Sequence, residues 1–518
     1  MNLMKIVAQP KFNPDVLYVL YKQVRNCLRK HSPDSVIAHS IGALHKAAQG
    51  GYEVMRYYQP WNILLLIKWT IQEADSVSHR RPAAKLDDVH KALNTLQEMG
   101  AHVRMPTEYE HHHFFMRHLA FQQFWLQHPA NVATIARQEL LFCSLPQNHS
   151  FQRDFFRLTG IRCAEFTLLS FVLAVMFISD SKRTTVKREN FSNLDPKLIS
   201  ETLDIFLSKI SKDTPSLHDI MANDLEGKKS IVDQLISPTP LVNFPLWKAG
   251  QDFIAYHPTL LFRSLENYIY RILKADNPGE FQAKFGLIFE KHVESCLSNS
   301  NVSFMQESEL TKTLGGSGKC VDFLIVEDDC NILIDAKGVE ISQLGRVAHE
   351  PEIVFRSLKS SVQKAIKQGM GTAQRIAAAH ATGEKLFGKS KNFLLIVTYD
   401  SLNLGSNTEF VNMFGQKVVD DLKKEFGSPL PVPIENFFFL DIHEFEYLLA
   451  GVYEKQTTVM TALLHAQKND SNPKTHKFLF IQHLESLLTQ PRRLPCLQSA
   501  FDTLFDKSVA LFPKENEV

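Results

Sequence analysis

The period of the hydrophobic pattern changes along the chain. Over residues 1–180, apolar positions recur every three to four residues, which predicts helices. Val16, Leu17, Val19, Leu20, Val24 and Leu28 lie on one such stripe, with Asn13-Pro14-Asp15 as its start signal. Ile41, Leu44, residues 61–67, Val89, Leu93 and Leu96 continue the pattern, divided at Gly50-Gly51, Arg81-Pro82 and Pro106. Further helical stretches at 198–210 and about 259–273 bracket a small predicted hairpin near 241–256 that turns at Ala249-Gly250. The turn cluster Asn277-Pro278-Gly279 marks the expected domain boundary. Beyond it, helix and strand signals alternate. A helix is predicted over 281–297 and a strand near 302–306. Two apolar runs follow, 321–326 and 332–334, parted by Glu327, Asp328 and Asp329 as in a tight hairpin. Then come a helix from about Glu352 with Phe355, Leu358, Val362 and Ile366 on its apolar face, strands at 392–399 and 437–440, and a helix from His443. The predicted class is α+β: a mostly helical region over 1–275, an α/β domain with a mixed sheet flanked by helices over 276–455, and a helical extension over 456–518.

Charge and cysteine content narrow the picture. With 57 Lys and Arg against 56 Asp and Glu, the formal charge is +1, so any nucleic-acid binding must come from local patches. The run SKRTTVKR at 181–188 is expected to be a solvated loop within reach of phosphates. The longest apolar stretch, 166–178, is interrupted by Ser170 and too short to span a bilayer, which predicts a buried helix and no membrane partner. Residues 1–10 lack a secretory signal pattern, and the seven cysteines form no CxxC pair. Both point to a soluble, cytoplasmic protein without structural zinc.

Candidate chemistry concentrates in the predicted hairpin. Asp322 is set into its first arm, and Asp335 and Lys337 end the second. Residues two apart on a strand share a face, so Asp335 and Lys337 project together, and the hairpin can lay Asp322 beside them. Two clustered carboxylates are costly unless a cation neutralises them, and Mg²⁺ is the usual hard ion for the task. The neighbouring Gly315-Gly316-Ser317-Gly318 is no phosphate-binding P-loop, because Cys320 and a strand follow where Ser or Thr and a helix are required.

Asp322, a hairpin, and then Asp335-Ala336-Lys337 resemble the signature of the PD-(D/E)XK nuclease superfamily, the restriction-endonuclease-like fold, over about residues 276–455. Val321 stands where the motif has proline. The resemblance implies a Mg²⁺-dependent phosphodiesterase, with Mn²⁺ as a substitute ion. It assigns Asp322 and Asp335 as metal ligands together with the Ala336 carbonyl, Lys337 as the group orienting or deprotonating water, and Glu290 on the preceding helix as a catalytic carboxylate that binds metal-bound water or a second ion, with Glu294 one turn on as its substitute. Arg356, Gln363 and Lys367 are the candidate phosphate contacts. DNA is favoured over RNA as the polymer, a homodimer or partner subunit would serve duplex cleavage, and the attached helical region is similar to those of bacterial anti-phage defence proteins. Two other functions stay open: a catalytically silent nucleic-acid-binding scaffold, and a ribonuclease of HEPN type acting through Arg25 and His31. Glu110-His111-His112-His113 is expected to be a solvated helix start, because adjacent histidines on a helix diverge by about 100°.

Overall fold

The computed structural model describes residues 14–102, 109–127, 132–192, 194, 202–225, 230–315, 318–342, 345–346, 348, 350–383, 386–387, 391–405 and 407–511. The class is α+β, with two small mixed sheets flanked by helices. The chain divides into two compact units, one of residues 1–106, 118–272 and 503–518, the other of 107–117 and 273–502. The division at 272/273 falls inside helix Pro258–Asp276. Asn277-Pro278-Gly279, expected as a boundary, instead starts a helix: the Asn277 side chain accepts the Glu280 N–H at 3.3 Å and Pro278 occupies the first turn.

The first unit is built from helices. Its opening four are α1 (Pro14–Leu28), α2 (Pro33–Tyr57), α3 (Pro60–Gln72) and α4 (Leu86–Ala101); of the predicted stripe Leu17, Leu20, Val24 and Leu28 are in the core, whereas Val19, off that face, is exposed. Ser32 caps α2 by accepting the Ser35 N–H. Helix Cys163–Ser179 is the predicted apolar one, and Phe166, Leu169, Phe171, Leu173 and Phe177 are buried. No single described helix is long and apolar enough to cross a membrane. A four-stranded sheet in the order β1-β4-β3-β2 completes the unit: β1 (Thr185–Val186), β2 (Ser211–Lys212), β3 (Leu246–Ala249) and β4 (Asp252–Ala255). β3 and β4 form the expected hairpin. The run 181–188 is not all loop, since β1 lies within it and pairs with β4. Arg183 lies 3.9 Å from Asp180, Lys187 3.7 Å from Asp252 and Arg188 2.8 Å from Asp204, so three of its four basic residues are already paired.

The second unit is organised around a five-stranded sheet in the order β5-β6-β7-β8-β9. Its strands are β5 (Phe304–Gln306), β6 (Phe323–Glu327), β7 (Cys330–Lys337), β8 (Lys391–Thr398) and β9 (Phe437–Asp441). β5, β6 and β7 run antiparallel as a meander. Asp328 makes the β6–β7 turn tight by adopting φ 50°, a left-handed conformation that aspartate tolerates better than most residues. β7, β8 and β9 are mutually parallel. Parallel pairing requires a crossover, and helices Pro351–Ser357 and Val362–Ala381 supply it between β7 and β8. The sequence pattern predicts one helix there. The two are separated at Leu358–Ser361, where the Ser361 hydroxyl donates to the Leu358 carbonyl and competes with the helix ladder. Residues 456–502 belong to this unit and form no separate extension: helices Val459–Asp470 and Phe480–Leu487 pack with Ile442–Tyr453.

Candidate active site

Strand register brings three carboxylates together. Gln306 pairs with Phe323, and Phe323 with Ile334. One step beyond these pairs lie Asp322 and Asp335, abreast on one side of the sheet, and Glu307, the first residue of helix Glu307–Thr313, whose charge reaches both. Backbone and side-chain bonds hold the row together. The Glu307 N–H donates to the Asp322 carbonyl at 2.8 Å, and the Ala336 N–H donates to Asp322 Oδ2 at 2.6 Å. Lys337, two residues after Asp335, shares its face, and its Nζ lies against Asp335 Oδ1 as an ion pair. Beyond that pair, the Asp335 oxygens have no hydrogen-bond partner among the described residues, although Asp335 is fully buried.

The Glu290 helix, Pro278–Asn299, lies close over the end of β7 because Gly338 follows Lys337. A Cβ at position 338 would come within 3.0 Å of Phe285 Cδ1 and 3.1 Å of Phe289 Cβ, both on that helix. Phe285 and Phe289 also meet the edge of the Tyr399 ring just past β8, at ring-centre distances of 5.1 and 6.2 Å. This packing sets half-buried Glu290 near enough to Asp322 and Glu307 to feel their charge.

Electrostatics mark the row as strained. Burial, and then the charge of Asp335, push the Asp322 carboxyl up to about 7, against the pull of Lys337 and the Ala336 N–H. Burial also raises Asp335, offset by Lys337 and, from farther off, by Lys364. Glu290 is raised by burial, then by Asp322 and Glu307, with Lys337 opposing. Four carboxyl groups therefore share a site with the ammonium groups of Lys337 and Lys364. An excess of hard anionic oxygen, including a buried carboxylate short of hydrogen bonds, suits a Mg²⁺-class ion. Asp322 and Asp335 could hold it.

The sequence pattern does not single out Glu307 or Lys364. The signal for Glu307 is its place directly after a strand, and it becomes visible only when β5 is registered against β6. Other expected site residues serve elsewhere. Glu294 Oε1 accepts from Gln306 Nε2 at 2.6 Å, which ties the Glu290 helix to β5 and takes Glu294 out of reserve. Gln363 donates to the Phe355 carbonyl at 2.6 Å, splinting the break between the crossover helices. Lys367 pairs with Glu425 at 2.6 Å on the surface, and Arg356 is exposed on the preceding helix.

The second proposed catalytic pair is engaged in helix packing. Arg25 Nε lies 2.6 Å from Glu73, and His31 Nε2 lies 3.8 Å from Asp88, on α3's end and α4 respectively. His113, expected to be solvated, is buried and pairs with Glu409, which also holds His476 at 3.0 Å. The side chains of Glu110, His111 and His112 lie outside the described residues, as do Gly316, Ser317 and His349. No family model and no curated protein matches the chain.

Proposed function

We propose that the protein is a metal-dependent nuclease that hydrolyses phosphodiester bonds, with DNA the favoured substrate. The resemblance of Asp322 and Asp335-Ala336-Lys337 to the PD-(D/E)XK signature motivates it. The observation that carries it is the facing of Asp322 and Asp335 across β6 and β7, with the Lys337 ammonium on the same face. A folded protein that kept these groups only for stability would gain more from apolar residues there, since buried like charges are unfavourable.

Asp322 and Asp335, with the Ala336 carbonyl, would hold Mg²⁺ or Mn²⁺, which when bound lowers the pKa of water and polarises the scissile phosphate. Lys337 donates to a non-bridging phosphate oxygen and offsets the negative charge that builds as water adds to phosphorus. Glu290, with its raised affinity for protons, accepts the proton that the attacking water loses. Water oxygen bonds to phosphorus, the bond to the leaving oxygen breaks, and that oxygen takes a proton from solvent water, so that a phosphate monoester and a hydroxyl result. Lys364, exposed on the crossover helix and near enough for its charge to reach Asp335, would meet the substrate backbone. A cytoplasmic role in defence against foreign DNA, with a second subunit for duplex cutting, fits this chemistry by analogy alone.

The test is incubation of purified protein with linear, circular and single-stranded DNA and with RNA, with and without Mg²⁺. Metal-dependent cleavage lost in Asp335→Asn is the expected result. No cleavage of any polymer, combined with salt-sensitive binding, would instead favour the silent scaffold.

A further inference from the structure

A second cluster in the same unit has ligand chemistry of another kind. His292 and Cys296 stand four residues apart on the Glu290 helix, hence one turn apart on one face. Glu446 comes from helix Ile442–Tyr453. Their ligand atoms all lie within 4.8 Å of one another, and the three residues are 5, 0 and 5 % exposed. A fourth group adjoins them: the Cys496 thiol, in the first turn of helix Pro495–Ala510, is close enough to Cys296 and Glu446 to interact with both.

His292 Nε2 faces both Glu446 Oε1, at 2.8 Å, and Cys296 Sγ, at 3.7 Å. The imidazole nitrogen thus sits between a carboxylate oxygen and a sulfur. Two ligands of one tetrahedral zinc, with bonds of about 2.3 Å to sulfur and about 2.0–2.1 Å to nitrogen, stand about 3.5 Å apart. The nitrogen–sulfur distance is already near that value. The nitrogen–oxygen distance would open to about 3.4 Å, a movement of roughly half an ångström, within reach of a glutamate side chain.

We infer that His292, Cys296, Glu446 and Cys496 form a structural Zn²⁺ site. Two sulfurs, an imidazole and a carboxylate are a donor set for zinc and unsuited to Mg²⁺ or Ca²⁺. Four protein ligands leave no open position for chemistry. The ion joins three helices distant in sequence. His292 and Glu290 are two residues apart, about 200° around the helix. The zinc therefore fixes the rotation of that helix from its buried side while Glu290 faces the acid row. The site stands independently of the nuclease proposal, because it shares no ligand with the row.

Elemental analysis of full-length protein, purified reduced and without chelator, should give one zinc per chain. Replacement by Co²⁺ should give visible tetrahedral bands with near-ultraviolet thiolate-to-cobalt absorption. Cys496→Ser changes a half-buried residue at a helix start, where the fold tolerates it, and should weaken zinc binding at least about tenfold and diminish the thiolate absorption. Asp335→Asn should keep its zinc. Folded wild-type protein that holds no zinc and shows no cobalt–thiolate absorption would overturn the assignment. So would full zinc affinity in Cys496→Ser and His292→Gln alike, or a Cys296–Cys496 disulfide in freshly isolated protein.

Discussion

Asp322 and Asp335 stand opposite each other one step past Phe323–Ile334, the last ladder pair at that end of β6 and β7, and Asp322 also accepts the Ala336 N–H at 2.6 Å. Two buried carboxyl groups held by backbone register cannot move apart to relieve repulsion. Their charge must be met by Lys337, by protons or by a cation.

Stability should therefore depend on pH through Asp322. Its carboxyl rises from 3.8 to about 7 on folding, so the native state binds a proton that the unfolded state has lost. That contribution is complete below the unfolded value and disappears as pH rises through about 7. Asn at 322 still accepts the Ala336 N–H and carries no charge. Asp322→Asn should gain on wild type across this window and then stay above it, by about 1–3 kcal/mol, as measured by denaturant unfolding in the absence of divalent ions. Equal pH profiles would contradict the buried repulsion.

Removal of Lys337 leaves the fully buried Asp335 without its ion-pair partner. Lys337→Ala should cost about 3–5 kcal/mol and abolish cleavage. Combining it with Asp335→Asn should restore most of the stability and none of the cleavage. Recovery of both in the double variant would show that the pair is merely structural.

Mg²⁺ at millimolar concentration should raise the melting temperature of wild type by mass action, and much less in Asp335→Asn. Ca²⁺ should bind and support little cutting, because its longer and looser coordination positions water poorly. A Ca²⁺ rate matching that of Mg²⁺ would count against these carboxylates as the ion's seat.

Gly338→Val places side-chain carbon against Phe285 and Phe289, at 3.0 and 3.1 Å already for Cβ. The Glu290 helix must shift, at a cost of about 1–3 kcal/mol. Cleavage should fall further than this loss of fold explains, by about 100-fold when measured well below the melting temperature, because Glu290 travels with the helix. An unchanged rate would remove Glu290 from the mechanism.

Arg25→Ala with His31→Ala removes two helix-packing contacts, and should cost no more than about 1 kcal/mol for each ion pair while leaving cleavage intact. A folded double variant without activity would move the active centre to the helical unit.

The sequence by itself determined the elements and the local chemistry. The stripe through Leu17, Leu20, Val24 and Leu28 specified a buried helical face, and the Asp-rich break between two apolar runs specified the β6–β7 hairpin. Asp335 and Lys337 sharing a face follows from strand geometry alone. Where a signal was local, it was legible. Tertiary structure decided what depends on residues far apart meeting. Glu307 joins the acid row only through the β5–β6 register, and Lys364 reaches Asp335 from the crossover helix, 29 positions further along the chain. The partners that occupy Gln363, Lys367 and Glu294 could not be read from a helical wheel. The cysteines show the limit most directly. Zinc motifs are recognised by short spacings, yet Cys296 and Cys496 are separated by 200 positions and have no CxxC partner between them. Loop closure over such distances is set by the packing of whole helices, and no sequence window contains that information.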